Sequence, residues 1–258
     1  MAADRSRAEG RGLQMSVRVL GWPLHTVTDA FVAPSALVGI HGPLFYPSAG
    51  EDWNDPVRLF FPAVREFWFV DPRYFVESER ADGSEPALNG NADFKFERFE
   101  LSGPPTARRE TRVGADGREY PYLEPCTRTE YYRHHTTNES LVLHRRRGYG
   151  QRSIEKVPNI GVFFHRGDSR GEGGSNVYWL SNHWVPHWLG RLPDGGLVAT
   201  DGSLAQCRQL RRFHRSNTTP TEAFHQSAPF TKWGRRWTCV GWADRRYGPT
   251  LIWQLSAS

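Results

Sequence analysis

Short apolar runs separated by polar, glycine-containing turns recur along the chain, and this pattern predicts its secondary structure. Within residues 22–71 a helix-like stretch leads to an apolar strand near 43–47, a turn with a short helix, and a second apolar strand near 65–70. Comparable apolar strands follow near 160–165 and 196–200. Because strands that are apolar on both faces are typical of a parallel sheet covered by helices, we interpret these segments as β-α-β units.

Residues 91–147 have a different pattern, in which alternating segments flank turn signals. Asp116-Gly117 lies between two such segments, as is typical of a β-hairpin. The last two strands, within residues 237–255, are too closely spaced for a crossover and predict an antiparallel hairpin. We therefore predict an α/β fold with a three-layer, mostly parallel, doubly wound sheet, an antiparallel C-terminal edge hairpin, and an inserted antiparallel hairpin region at about 91–147.

Length and composition fit one folded domain. The chain has 258 residues, of which 38% are hydrophobic and 13% aromatic, and this is too rich in core-forming side chains for a disordered chain. We expect a flexible tail over residues 1–15 and a single Rossmann-like domain over 16–258. The sequence shows neither a signal-peptide core nor an apolar run of the ~18 residues that a membrane span needs, so we predict a cytoplasmic protein without membrane contact.

The charged residues and cysteines narrow the class of partner. The net charge is +5, and the densest basic stretches are residues 144–147 and 208–215. We interpret both stretches as solvated surface, with a phosphate-binding patch as the alternative, so nucleic acid is not the favoured partner. The three cysteines, at 126, 207 and 239, form no CxxC pair. They indicate reduced thiols, and no disulfide framework or metal site is predicted.

The turn after the first apolar strand and the end of the second form a candidate ligand site. The turn contains "PSAG", residues 47–50, and Asp71 ends the second strand 21 positions after Gly50. In open α/β sheets a ligand lies at the carboxyl ends of the strands, where a small-residue turn approaches it and an acid about 20 residues later binds a ribose diol. Asp52 and Asp55 also have a purely structural interpretation, as residues that cap a short helix and offset its dipole.

With these features the sequence resembles the class I S-adenosylmethionine-dependent methyltransferases. The segment "LPDGGLVATDGS", residues 192–203, is similar to that family's turn and strand after the fourth crossover helix, and residues 237–255 resemble its sixth and seventh strands. The resemblance implies S-adenosylmethionine as the cofactor, with an acid at the second strand's end on its ribose. The cofactor-binding residues that it implies are Tyr46, Ser48, Gly50, Asp52 and Asp71.

The segment "HRGDSRGEGGSN", residues 165–176, directly follows an apolar strand and is the candidate for catalysis. It combines Arg166, the acids Asp168 and Glu172, and glycines that expose backbone N–H groups. Polar loops held on buried strands often carry function, and the alternative is a solvated loop. We predict that Asp168 or Glu172 orients or deprotonates the methyl acceptor, with Arg166 beside them.

Two functions remain open from the sequence. The first is an S-adenosylmethionine-dependent methyltransferase that acts on an unknown acceptor. The second is a non-catalytic Rossmann-like module for binding or regulation that has lost cofactor binding. A fold does not decide between such functions, because function resides in the chemistry of the site.

Overall fold

The computed structural model of the protein describes residues 30–76, 80–106, 110–113, 119–166, 177–244 and 248–258, with the backbone alone at 119–121. The expected tail, 1–15, lies outside these residues. The strands are β1 (Ala30–Val32), β2 (Leu44–Pro47), β3 (Glu66–Asp71), β4 (Phe94–Ser102), β5 (Glu110–Val113), β6 (Glu119–Tyr122), β7 (Cys126–His134), β8 (Ser140–Arg147), β9 (Val162–His165), β10 (Leu197–Thr200), β11 (Phe230–Lys232), β12 (Arg235–Ala243) and β13 (Thr250–Ala257). The helices are α1 (Pro34–Val38), α2 (Asn54–Phe60), α3 (Gly150–Ser153), α4 (Val185–Leu189), α5 (Arg208–Arg211) and α6 (Pro220–His225), and a 3₁₀ turn covers Ile154–Lys156.

One eleven-stranded sheet organises the part of the chain that the structure describes. Its strand order is β1-β12-β13-β10-β9-β2-β3-β8-β7-β4, β11 pairs with β12, and β5 and β6 form a separate two-stranded sheet. The central strands β10, β9, β2, β3 and β8 run parallel to one another. The strands on both sides of this centre are added antiparallel.

The predicted fold class, a three-layer, mostly parallel, doubly wound sheet, is wrong. Among the described strands of the large sheet, four pairings are parallel and six are antiparallel. The helices are also short, and the longest that the structure describes, α2, has seven residues. The pattern misled because strands that are apolar on both faces identify only the buried centre of a sheet. They do not report the flanking antiparallel strands, or loops in place of crossover helices.

Within the region 91–147, β4, β7 and β8 belong to the main sheet, so the predicted insertion of a separate antiparallel region is wrong for these strands. β5 and β6 do form a separate antiparallel pair. β8 pairs parallel with β3, where Phe67 lies opposite Leu143. β7 and β4 then extend the same sheet antiparallel. The last two strands do pair antiparallel, but they are not at the edge. β13 lies between β10 and β12, and β12 is flanked in turn by β1 and β11.

Both faces of β2, β9 and β10, the middle of the parallel centre, are buried. Every residue of β2, β9 and β10 is buried, at the positions where the sequence predicts apolar strands. Leu44 and Tyr46 pack on one face, together with side chains of α1 and α2. Phe45 packs on the opposite face with Trp179 and with side chains of α4. Successive residues of a strand point to opposite faces, so each of these strands contributes to both halves of the core.

Two arginines of β8 are core residues, so the interpretation of residues 144–147 as solvated surface is wrong for them. Arg145 and Arg147 share the face of Leu143 and are buried. Arg145 donates from Nη2 to Glu130 Oε1 at 2.6 Å. Arg147 donates to three backbone carbonyl oxygens at 2.6–2.8 Å. Burial of these charges is tolerated because each guanidinium has oxygen acceptors inside the protein.

Glu130 is the carboxylate at the centre of this buried cluster. Its side chain has no solvent exposure and lies between two guanidinium groups, those of Arg128 (Nε–Oε1 2.7 Å) and Arg145. It also accepts from the backbone N–H of Ala87 at 2.8 Å and from the hydroxyl of Tyr132. Burial raises the pKa of Tyr132, which keeps the hydroxyl protonated as a donor. Loss of the carboxylate charge would leave both guanidinium groups without a counter-charge.

Replacing Glu130 by Gln should lower the free energy of unfolding by roughly 3–5 kcal/mol, because it removes one partner of a buried ion-pair cluster. The matched control is Glu97→Gln in the neighbouring strand β4. Glu97 pairs with Arg133, both side chains are more than a third exposed, and the expected loss is much smaller. Urea unfolding followed by circular dichroism measures both. Equal losses in the two variants would contradict a structural role for the buried cluster.

Candidate functional site

The parallel strands bring their carboxyl ends to one edge of the sheet, and the course of the chain reverses there between β2 and β9. From β2 the chain continues to β3 and β8 on one side, whereas from β9 it continues to β10 on the other. Ligands of parallel α/β sheets bind outside the carboxyl ends at such a reversal, because the connecting loops diverge and leave a crevice. Around it the strands end at Pro47, Asp71, His165 and Thr200.

The turn after β2 is held against the end of β3. The backbone N–H of Ala49 donates to the carbonyl of Val70 at 3.1 Å. Ser48 and Gly50 both have positive φ, 57° and 54°. Glycine adopts this left-handed conformation at little cost, whereas serine does so less readily. Backbone strain of this kind concentrates at functional sites, so the turn supports a site at this edge.

Asp71 lies beside the turn, as the sequence predicts from its spacing to Gly50. Its side chain is buried, with 3% exposure. Oδ2 accepts from the backbone N–H of Gly50 at 3.1 Å, and Oδ1 accepts from the backbone N–H of Arg73 at 2.8 Å. These two bonds fix the carboxylate across the gap between the β2 turn and the β3 exit. The predicted proximity of Gly50 and Asp71 is therefore confirmed, whereas ribose binding by Asp71 stays a prediction.

The guanidinium of Arg73 forks onto the same carboxylate. Nε lies 3.1 Å from Asp71 Oδ1, and Nη2 lies 3.3 Å from Asp71 Oδ2. Hydrogen bonding to Asp71 raises the pKa of Arg73. The Arg73 side chain is nevertheless 59% exposed, in contrast to its buried partner. An exposed guanidinium of this kind can rotate into solvent and leave one acceptor position free on each oxygen of Asp71.

Tyr74 and Trp53 clamp the turn from the other side. The Tyr74 hydroxyl donates to the carbonyl of Gly50 and accepts from Trp53 Nε1 at 2.8 Å. Burial raises the pKa of Tyr74 well above its usual value, so the hydroxyl stays protonated and able to donate. Reasoning from the sequence missed Arg73, Tyr74 and Trp53. The polar sequence "PRY" directly after Asp71 is the only signal that points to the first two.

Arg166 forms a buried ionic cluster with two acids that follow β2. Its side chain has no solvent exposure, and it donates to Asp52 through Nε (2.7 Å) and Nη2 (2.6 Å). Nη2 also donates to Asp55 on α2. The Tyr46 hydroxyl lies 3.0 Å from Asp52 Oδ2 and 2.9 Å from the backbone oxygen of Arg166. The cluster thus ties the exit of β9 to the β2 turn and to α2 across the chain reversal.

The electrostatics of this cluster favour a structural role. Burial alone lowers the pKa of the Arg166 guanidinium, but the carboxylates of Asp52 and Asp55 outweigh burial and raise the pKa above its usual value. The helix-capping interpretation of these two acids is wrong, since α2 has no side-chain cap hydrogen bond and Trp53 is at its N-cap position, but Asp55 does lie in the first turn, where an acid offsets the helix dipole. Cofactor contact by Tyr46 or Asp52 and catalysis by Arg166 stay predictions. In the structure all three side chains bond to other groups of the protein.

Three buried donors near this edge have no hydrogen-bond partner among the described residues. They are Arg166 Nη1, Trp179 Nε1 and Ser203 Oγ. Ser203 follows the end of β10, and the indole of Trp179 packs against Gly150 beside Pro47 at the end of β2. Buried polar groups are normally satisfied, so unpaired donors at a strand edge suit an oxygen-bearing ligand or ordered water.

Asp168 and Glu172, the predicted acid–base residues, lie outside the described residues. The structure therefore places six of the eight predicted site residues at the carboxyl edge. Of these, Gly50 and Asp71 contact each other in one cluster, and Tyr46, Asp52 and Arg166 form the second. Ser48 lies in the turn between them.

No protein-family model, curated protein or solved structure matches this chain. In the described part of the chain, no group of three or more His, Cys, Asp or Glu side chains could hold a metal ion. No helix there is long and apolar enough to cross a membrane. The functional assignment therefore rests on the chemistry of the edge itself.

Replacing Arg166 by Ala should destabilise the protein by roughly 3–5 kcal/mol, because it removes one partner of the buried ion pairs with Asp52 and Asp55. Arg73→Ala is the matched control: it also removes an arginine from an aspartate at this edge, but an exposed one, and should cost about 1 kcal/mol or less. Chemical denaturation at neutral pH measures both. An Arg166→Ala protein with the stability of the unaltered protein would show that the ionic cluster does not brace the edge.

Proposed function

We propose that this protein binds S-adenosylmethionine at the carboxyl edge of its parallel strands and transfers the methyl group to an acceptor. The observation that carries the proposal is the arrangement of Asp71: a buried carboxylate at the end of β3, bonded to the β2 turn. Among the described residues, its remaining acceptor positions are covered by an exposed guanidinium. This is the place where an acid binds a ribose diol in nucleotide-binding sheets.

The chemistry of Asp71 matches a vicinal diol. Arg73 presents two N–H donors side by side, one to each carboxylate oxygen. The 2′- and 3′-hydroxyl groups of a ribose likewise present two adjacent O–H donors. When Arg73 rotates away, a diol can take the same two acceptor positions while the bonds from the backbone N–H groups of Gly50 and Arg73 persist. The ligand then competes with an exposed ion pair, which is weak.

The rest of the edge suits the amino-acid end of the cofactor. The donors Trp179 Nε1 and Ser203 Oγ are unpartnered among the described residues and are suited to bond a carboxylate oxygen. Asp168 and Glu172 keep the role that the sequence predicts, which is to orient or deprotonate the acceptor. The acidic side chains at this edge also favour a cofactor that carries a positive sulfonium over one with a pyrophosphate.

A second candidate is a non-catalytic module for binding or regulation that has lost the cofactor. The observation that favours it is the pairing of Asp71 with Arg73. The turn after β2, residues 48–52, also contains only one glycine. In this alternative the Arg73–Asp71 pair is a permanent part of the fold. The two candidates therefore differ in whether Arg73 yields its place to a ligand.

A cytoplasmic location is part of the proposal. Cys126, Cys207 and Cys239 are all free thiols, and the first two are buried. Free thiols fit a reducing compartment, and so does S-adenosylmethionine as an intracellular cofactor.

Calorimetric titration tests the binding site. S-adenosylmethionine should bind the unaltered protein, and Asp71→Asn should weaken binding by roughly 10- to 100-fold, because a charged acceptor of two hydroxyls is lost. Arg73→Ala should tighten binding by about fivefold, because it removes the competitor for Asp71. Arg65→Ala is the matched control. Arg65 is a similarly exposed arginine, paired with Glu139, and its loss should leave affinity unchanged.

The diol itself is tested with simpler ligands. Adenosine should bind more tightly than 2′-deoxyadenosine by roughly tenfold, because only adenosine supplies both hydroxyls to Asp71. Absence of binding by S-adenosylmethionine to both the unaltered protein and Arg73→Ala would contradict the proposal and favour the non-catalytic module.

Catalysis by the segment after β9 needs its own test. Once an acceptor is found, Asp168→Asn or Glu172→Gln should lower turnover by roughly 100-fold while leaving the affinity for S-adenosylmethionine nearly intact. Unchanged turnover in both variants would remove the two acids from the mechanism.

A further inference from the structure

β4 is the last strand on its side of the large sheet among the described strands. Its outer row of backbone N–H and C=O groups therefore faces away from β7, and such a row is a template for another strand. Most side chains of the strand are exposed, including the ring of Phe99, which is 36% exposed. This edge lies at the far end of the sheet from β1, with β3, β8 and β7 between it and the β2 turn.

The sequence of β4 is complementary to itself when read in the opposite direction. Its core, "FKFERFEL", covers residues 94–101. In an antiparallel pairing of two copies about a two-fold axis, each contact occurs twice, because residue i meets j and j meets i. One register matches the flanking positions by chemistry. Its pairs are Phe94 with Leu101, Lys95 with Glu100, and Phe96 with Phe99, and residues 97 and 98 lie at its centre.

A β-bulge makes this register geometrically possible. In a regular strand, a two-fold axis perpendicular to the sheet pairs only residues separated by an even number of positions, since residues an odd number apart point to opposite faces. β4 has a register shift between Phe96 and Arg98, which leaves Glu97 as an extra residue. The bulge moves everything after it by one position, so that Phe99 shares a face with Phe96.

The pairing with β7 shows the resulting faces directly. The apolar residues of β4 lie opposite alternate residues of β7, Phe94 opposite His134, Phe96 opposite Tyr132, Phe99 opposite Glu130 and Leu101 opposite Arg128. They therefore occupy one face, whereas Lys95, Arg98 and Glu100 occupy the other. In the self-complementary register, apolar residues meet across one face. On the other face Lys95 meets Glu100, and the two copies of Arg98 lie at the axis with Glu97 of each strand beside them.

The charged side chains of β4 can exchange their present partners at low cost. Arg98 contacts Glu100 within the strand, and both side chains are more than half exposed. Glu97 pairs with Arg133 on β7, where both are more than a third exposed. Exposed ion pairs of this kind contribute little to stability, so they do not prevent pairing with a second copy. Charges in mid-strand do oppose pairing with an unrelated strand, which makes the edge selective.

We propose that β4 is a dimerisation edge, at which two copies of this chain pair antiparallel through residues 94–101 and continue the sheet from one subunit into the other. The dimer depends on concentration, because the contact is a single short strand and exposed charge pairs.

Charge reversal tests the register. Sedimentation equilibrium should show a dimer for the unaltered protein, and Lys95→Glu or Glu100→Lys should each raise the Kd of the dimer by roughly tenfold or more, because like charges then meet twice. A mixture of the two variants should form a heterodimer with an affinity close to that of the unaltered protein, since positions 95 and 100 then again carry opposite charges at both of their contacts. Lys156→Glu, at an exposed position away from β4, is the matched control and should leave the Kd unchanged.

Circular dichroism and thermal unfolding of each variant exclude misfolding as the cause of a changed Kd. A protein that stays monomeric at high concentration would overturn the proposal. So would a dimer whose Kd is unaffected by Lys95→Glu and Glu100→Lys, or a mixture that fails to restore the affinity.

Discussion

The buried guanidinium of Arg166 sets the geometry of the edge on which the functional account depends. A cation without solvent exposure needs carboxylates beside it, and the two that it has, Asp52 and Asp55, come from the turn after β2 and from α2. Arg166 itself directly follows β9. Since β2 and β9 lie on either side of the chain reversal, one ionic cluster fixes both walls of the crevice in which a parallel sheet holds its ligand.

The ion pair of Asp71 with Arg73 differs from this buried cluster in its exposure. Asp71 is also a buried acid at the same edge, but its arginine is 59% exposed, whereas the side chain of Arg166 is fully buried. Arg73 can leave Asp71 at little cost, whereas Arg166 cannot leave Asp52 and Asp55 at little cost. A binding site needs such an arrangement, in which a buried ionic cluster keeps the fold in place while a ligand replaces the exposed guanidinium of Arg73.

Part of this structure can be read from the sequence. Four of the five parallel strands, β2, β3, β9 and β10, are predicted at the correct positions because they are apolar runs, whereas β8 is predicted as part of the antiparallel region. The spacing of Gly50 and Asp71 correctly places the turn against the acid. The antiparallel pairings of β12 with β13 and of β5 with β6 are also predicted. The addition of antiparallel strands to both sides of the parallel centre is not, because alternating patterns do not report which neighbour a strand pairs with.

The charged core could not be read in this way. Arg145 looks like a surface residue in the sequence and Arg166 like part of a polar loop, because their partners are distant along the chain: Glu130 is 15 positions from Arg145, and Asp52 is 114 positions from Arg166. Composition and periodicity contain no information about such pairs. Only the fold brings them together, whereas Arg73 contacts the predicted ribose acid from two positions away in the chain.

The most direct test of the account follows the Nε–H signals of the arginines by ¹⁵N NMR while S-adenosylmethionine is added, with Arg73→Ala and Arg166→Lys used to assign them. The account predicts that the Arg73 signal moves and its exchange with water accelerates as the guanidinium leaves Asp71, while the Arg166 signal stays in place and protected. An Arg73 signal that is unchanged at saturating S-adenosylmethionine would contradict the central claim that this guanidinium yields its place on Asp71 to a ligand.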